Sequence, residues 1–160
     1  DGVFRIPADF DLQGCGYNLG LFAYVSHVLR DLRQDLVTGE KGLVYLAGDD
    51  MAAHRVTEAT LLEDLGREHA SPGLKALVED LAGRADTWRR AGEAQLTPLK
   101  EQLPADRMFV LRLIIRLYMA TLEKIAACDF DPMTEHHLLT DADKERLALT
   151  VAAETSAAGI

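Results

Sequence analysis

From about Gln13 to Thr38, apolar and small residues recur at intervals of three and four: Leu19, Phe22, Ala23, Val25, Ser26, Leu29, Leu32 and Leu36. That period matches the turn of an α-helix with one or more buried faces, not the alternation of a half-buried strand. A second run, MFVLRLIIRLYMATLEKIAAC from Met108 to Cys128, is more apolar still. It is long enough to span a bilayer, but Arg112, Arg116, Glu123 and Lys124 interrupt it. Each central charge costs ~2.5 to 3.5 kcal/mol on insertion, so the run reads as a helix of a folded domain.

The rest of the chain follows the same pattern. TEATLLEDL from Thr57 begins with capping-box character and predicts a short helix. Ser71-Pro72 opens another, running to about Leu103, with Pro98 set to kink or end it. A helix from about Met108 to Ala127 follows, and Thr140 and Asp141 cap a last one over Ala142 to about Ala153. Residues 1 to 12 read as a loop or short helical approach, and TGEKG ends the first helix. LVYLAGDD reads as an apolar loop segment and FDPMTEHHLLTDAD as a turn-rich connection. Gly14, Gly16 and Gly20 suggest a close backbone approach near the start of the first helix. No hairpin chemistry and no internal repeat is visible. The expectation is an all-α bundle of about five helices, one helical domain over residues 1–160.

Charge narrows the partners. A formal net charge of -9 argues against attraction to nucleic acid or to anionic lipid, so an anionic ligand would need a positive mediator. Cys15 and Cys128 form neither a metal-ligand spacing nor a disulfide framework. They read as small buried residues in a reduced, cytoplasmic protein, and no signal peptide pattern opens the chain.

One stripe of the first helix is out of character for a core element. Asp31 and Asp35 lie four apart on one face, with His27 and Tyr24 continuing it one and two turns earlier. Spacing leaves two readings open. The carboxylates could share Mg²⁺, which is commonly held by one or two carboxylates together with substrate phosphates, with Arg30 reaching a phosphate oxygen. Equally, they could pair with Arg30 and Arg33 on a solvated face. Elsewhere, Glu135, His136 and His137 read as a surface turn, His54 and His69 as solvated, and Trp88 and Tyr118 as core. Arg112 and Arg116, one turn apart in the apolar helix, either snorkel to solvent or face an acidic partner or a diphosphate.

The string LGLFAYVSHVLRDLRQDLVTGEKGLVYL resembles the second aspartate-rich segment of the squalene and phytoene synthase family. That pattern runs approximately G-x-x-x-Q-x-x-N-I-L-R-D-x-x-E-D, then a glycine, then R-x-Y-(L/F)-P. Gly20, Leu29, Arg30, Asp31, Asp35, Gly42 and Tyr45 match at its spacing. DDMAAHRVTEATLLED is similar to the family's D-D-L-x-x-x-G-(V/I)-(S/T)-x-x-x-L-L stretch. Leu103, Pro104, Arg107, Tyr118, Leu122 and Ile125 match its later L-P-x-x-x-R and Y-x-x-x-L-x-x-I elements.

The resemblance implies an all-α isoprenoid synthase fold, of which this chain would be the incomplete C-terminal half. It implies Mg²⁺-dependent head-to-head condensation of two prenyl diphosphates. Asp31 and Asp35 would be metal ligands and catalytic, with Arg30, Tyr45 and His27 binding substrate. The chain departs from the pattern at Tyr24 for its Gln, His27 for its Asn, Gln34 for its Glu, Leu43 for its Arg and Ala47 for its Pro. The family's first aspartate-rich helix has no counterpart here, since Asp9 and Asp11 cannot share one helical face. The alternative function is a non-catalytic homologue acting as an assembly factor or lipid-binding partner. A half-fold also exposes an apolar face, which admits a homo-oligomer, and a peripheral membrane association is admitted beside the prenyl diphosphate partner.

Overall fold

A computed structural model describes residue 8 and residues 10–38, 45–99 and 103–157. Six α-helices follow in chain order: α1 Leu12–Thr38, α2 Gly48–Ala53, α3 Glu58–Arg67, α4 Pro72–Leu96, α5 Ala105–Ala127 and α6 Asp141–Ala157. Short 3-10 turns lie at Thr97–Leu99 and Glu135–His137. Among the described residues there is no strand, as the periodicity predicts, and no helix is long and apolar enough to cross a membrane. The turn expected at residues 39–42, with Leu43, and most of the approach expected over residues 1–12 lie outside the described residues.

Several boundaries differ from the reading above: α5 begins at Ala105, α6 runs on to Ala157, and two more have a visible cause. GDD opens α2 rather than ending a loop, because Asp49 and Asp50 sit in its first turn, where carboxylates are favoured by the helix dipole. Pro98 ends α4 in a 3-10 turn. The caps follow side-chain chemistry. Thr57 accepts from the Thr60 amide at 3.2 Å while the Thr60 hydroxyl accepts from the Thr57 amide at 2.8 Å, a reciprocal cap closed by threonine instead of glutamate. At α6, Thr140 and Asp143 reciprocate in the same way, and Lys124 of α5 donates to Asp143 at 2.8 Å. Lys124 first, then the Thr140 hydroxyl and amide, holds the Asp143 carboxyl well below the usual carboxylate range.

The core is one cluster built on α1 and α4. Near the start of α1, Asn18 donates to Gln95 at 2.9 Å, and near its end Arg33 reaches Glu68 just after α3, so α1 and α4 run antiparallel. Phe22, Leu29, Leu32, Leu74, Leu77, Val78 and Ala85 are all buried between them and their neighbours. α5 packs on another side of α1, with the Tyr118 ring edge-on to Phe22 at 6.1 Å and 76°. α6 returns antiparallel along α5, linked by Lys124–Asp143 at one end and Arg116–Glu154 farther along.

Of the three glycines early in α1, only Gly14 is crowded, by Asp11 and Gln95, whereas Gly16 and Gly20 face open space. The tight helix contact falls instead at Gly92, where a Cβ would stand 2.6 Å from the Leu19 side chain and 3.3 Å from its backbone nitrogen. Arg55, which follows α2, holds φ at 58°, at the position of the glycine in the resembling pattern.

Two glycines on one helix should respond with opposite sign. Gly83 is exposed with nothing within 4 Å of its Cβ direction, so Gly83→Ala is expected to stabilise by ~0.5 to 1 kcal/mol. Gly92→Ala gains the same propensity but overpacks against Leu19, a cost of ~1 to 3 kcal/mol, and should lower the urea midpoint. Arg55→Gly relieves a left-handed residue and should raise stability by ~1 kcal/mol, and the midpoint with it. Equilibrium urea unfolding of the three variants checks all of these.

Candidate functional site

Packing α1 against both α4 and α5 uses most of its circumference and leaves the stripe of His27, Arg30, Asp31 and Gln34 at the surface of the core. There the arginine pairing is realised for one of the two aspartates. Arg30 donates through Nε to Asp31 Oδ1 at 2.6 Å and through Nη2 to Oδ2 at 2.8 Å, a two-pronged pair between neighbours in sequence. The same Nη2 lies 2.7 Å from His27 Nδ1, and that nitrogen is 3.2 Å from Asp31 Oδ2. A guanidinium only donates, so this contact requires the His27 tautomer in which Nδ1 is the acceptor. In that tautomer the short His27–Asp31 distance is two acceptors bridged by Arg30 rather than a direct ion pair.

The electrostatics follow from this cluster. The hydrogen bond from Arg30 lowers the Asp31 pKa, burial opposes it, and the positive charge of Arg30 adds to the lowering. The Arg30 guanidinium is raised in turn, chiefly by its bond to Asp31. Arg33 does not join in: it reaches Glu135 at 3.1 Å and Glu68 at 3.5 Å, pinning the end of α1 to two other segments. Asp35 is half-buried and makes no ion pair among the described residues.

Asp31 and Arg30 open onto a cavity of about 760 Å³ between α1, α5 and the start of α6. Gln34 and Thr121 add polar groups, Lys144 a second cation, and Ile114, Leu117 and Tyr118 an apolar wall. The lining thus combines charged groups that suit an anionic head with apolar surface that suits an aliphatic chain. Tyr45 is exposed and, like Asp35 and His27, does not line this cavity, so of the five residues singled out from sequence the cavity brings together Arg30 and Asp31, with His27 bonded to them.

Among the described residues no group of three or more His, Cys, Asp or Glu side chains could hold a metal ion. The two carboxylates of α1 fit a magnesium ion only in part. They offer the one or two protein ligands such an ion commonly takes, with the remaining oxygens left to phosphate and water.

Several residues behave differently from the reading above. Glu135 and His136 are exposed as expected of a surface turn, but His137 is buried with its Nε2 on the Arg30 carbonyl at 2.9 Å, which docks the turn on α1. His69 is exposed as expected, though its Nδ1 also meets the buried Asp131 at 2.6 Å, a carboxylate that accepts from the Ala70 and Met133 amides. Tyr118 packs on the core but also lines the cavity. Lys144, absent from the sequence argument, sits on a polar stretch of α6 where nothing local marks it. Its signal is purely spatial.

The Arg30 bond makes Asp31 pH-sensitive in one direction. A lowered folded-state pKa means the stabilisation is complete above the ordinary value of 3.8 and is lost as pH falls through the folded value. The Asp31 carboxyl resonance is therefore expected to titrate below 3.8 in the native protein, and Arg30→Gln should move its midpoint upward. A midpoint unmoved by Arg30→Gln would contradict the pairing.

Comparison with known proteins agrees with the all-α fold. A family model described as squalene/phytoene synthase matches residues 3–150. A phytoene synthase of Thermus thermophilus is 33% identical over 113 residues, which is 71% of this chain and 35% of that protein. The crystal structure of a dehydrosqualene synthase in complex with ligand is similar at a TM-score of 0.70 and 21% identity, over 95% of this chain and 49% of that one. The chain thus spans about a third of the curated relative and about half of the solved structure, and shares the all-α fold of the latter.

Proposed function

The chain belongs to the squalene/phytoene synthase family, and from that premise we propose that residues 1–160 form the C-terminal portion of a synthase domain that condenses two prenyl diphosphates head to head. The observation that carries the reading is the shared cavity. It is lined by the carboxylate of Asp31, the cations Arg30 and Lys144, and the apolar side chains of Ile114, Leu117 and Tyr118.

In this reading the diphosphate lies at the charged groups and the prenyl chain along the apolar side chains. Asp31 and Asp35 would hold Mg²⁺, which supplies charge stabilisation to the departing diphosphate. Arg30 presents guanidinium donors beside Asp31, where a phosphate oxygen competes for them, and the His27 Nδ1 acceptor keeps the fork oriented. The match of Tyr45 to the family pattern supports a role for its hydroxyl near the diphosphate. Apolar side chains exclude water from the allylic cation that forms as the C–O bond breaks.

Exposed Tyr17 and Tyr24 on α1 support burial of that stripe against the remainder of a synthase domain or a second copy. Both cysteines are free thiols, which supports the cytoplasmic reading.

A second reading is a non-catalytic homologue that keeps the fold for assembly or lipid binding. It is favoured by the saturation of Asp31 by Arg30 and by the position of Asp35 outside the cavity.

Calorimetric titration of the longest natural form of the protein with a non-hydrolysable farnesyl diphosphate analogue, with and without Mg²⁺, separates the two. The enzyme reading expects metal-dependent binding that falls at least ~10-fold, about 1.4 kcal/mol, in each of Asp31→Asn and Asp35→Asn. Variants that bind like the parent would leave the aspartates without a metal role.

A further inference from the structure

Arg112 and Arg116 lie one turn apart on α5, and the structure separates their fates. Arg116 donates to both carboxylate oxygens of Glu154, at 3.2 and 3.4 Å, while Arg112 has no ion pair among the described residues. Both line a cleft of about 440 Å³ between α4, α5 and α6, a volume within the ~300 to 1,000 Å³ usual for small-molecule sites.

This cleft is separate from the Asp31 cavity. On α5 it uses Met108, Arg112, Ile115 and Met119, spaced by four, three and four, whereas the other cavity uses Ile114, Leu117, Tyr118 and Thr121. These are different stripes of one helix, and the two hollows share no lining residue.

Its chemistry is lopsided in a useful way. Arg89 is occupied by Asp86 and Glu93, and Arg116 by Glu154, which leaves the positive charge of Arg112 without a carboxylate among the described residues, in a protein of net charge -9. Beside it Leu96, Met108, Ile115 and Met119 form an apolar floor, and the two thioethers can adapt to the contour of a chain. A guanidinium next to an apolar floor matches an anionic head on an aliphatic tail.

We propose that this α4–α5–α6 cleft binds a single-chain amphiphile with a carboxylate or phosphate head, the head on Arg112 and the chain along Met108, Ile115 and Met119. The site stands independently of the diphosphate reading. Its head group has two sources, a free amphiphile or the surface of an anionic membrane.

The test uses the natural full-length protein, sodium decanoate below its micelle threshold, decan-1-ol as the neutral counterpart, and vesicles of phosphatidylglycerol or phosphatidylcholine. Decanoate is expected to bind saturably and to shift amide resonances of α4, α5 and α6 around the cleft, with decanol at least ~10-fold weaker, a ratio equal to ~1.4 kcal/mol. Arg112→Gln should weaken decanoate binding by a similar factor. Glu154→Gln should strengthen it by releasing Arg116.

Arg112-dependent recruitment to phosphatidylglycerol but not phosphatidylcholine vesicles, without binding of free decanoate, would assign the head to a membrane lipid. Two results overturn the proposal, given native amide spectra for every variant. One is failure of both decanoate and phosphatidylglycerol to bind. The other is binding insensitive to both Arg112→Gln and Glu154→Gln.

Discussion

Leu19 lies so close to Gly92 that a single methyl group at that glycine would intrude on it, and the seat of α1 on α4 follows from this contact. Cys15 is buried one turn earlier, its Sγ 3.8 Å from the Gly92 carbonyl, so the approach extends along the helix pair. With one side of α1 pressed on α4, its rotation about its own axis is set. α5 then takes another side through Phe22 and Tyr118. What remains is a narrow stripe, and that stripe carries His27, Arg30, Asp31 and Gln34. A helix that buries most of its faces gathers its charge where solvent remains, and Arg33, on another face, is accommodated by reaching out to Glu68 and Glu135.

Carboxylates in this protein serve two physically distinct ends. Asp64 and Asp131 are buried, and their oxygens accept from the amides of Ser71, Ala70 and Met133, so they complete backbone hydrogen bonding where chain segments turn. Asp31 by contrast is met by a side-chain cation, Arg30, that a phosphate oxygen can compete for. An amide in a folded turn cannot leave its acceptor without unfolding the turn, whereas an arginine side chain can change partner by rotating. The Asp31 cluster is therefore the exchangeable one, and His137, bonded to the carbonyl of Arg30, fixes the backbone beneath it.

Helix identity was legible because burial and periodicity act over long stretches. The intervals of three and four in α1 and the apolar run of α5 place both elements to within a few residues, and Pro98 and Ser71-Pro72 mark the ends of α4. The stripe of α1 was legible too, since Asp31, Arg30 and His27 lie within two helical turns and their mutual reach is local geometry. Lys144 was not. It belongs to a polar helix, and only the antiparallel return of α6 along α5 brings it to the cavity. His137 was misread as a surface residue for the same reason: a pair of histidines in a turn looks solvated until a distant helix supplies a buried carbonyl acceptor.

Sequence alone thus determined that the chain is all-α, where its long helices run, and that one face of the first carries paired aspartates beside an arginine, because each is a property of neighbours within a few turns. The tertiary structure decided which charge each residue meets. Arg33 goes to Glu68 and Glu135, Arg116 takes Glu154, and Arg112 meets no carboxylate among the described residues. Ion pairing depends on distances of a few ångströms between groups far apart in the chain, and those distances exist only once the helices have packed.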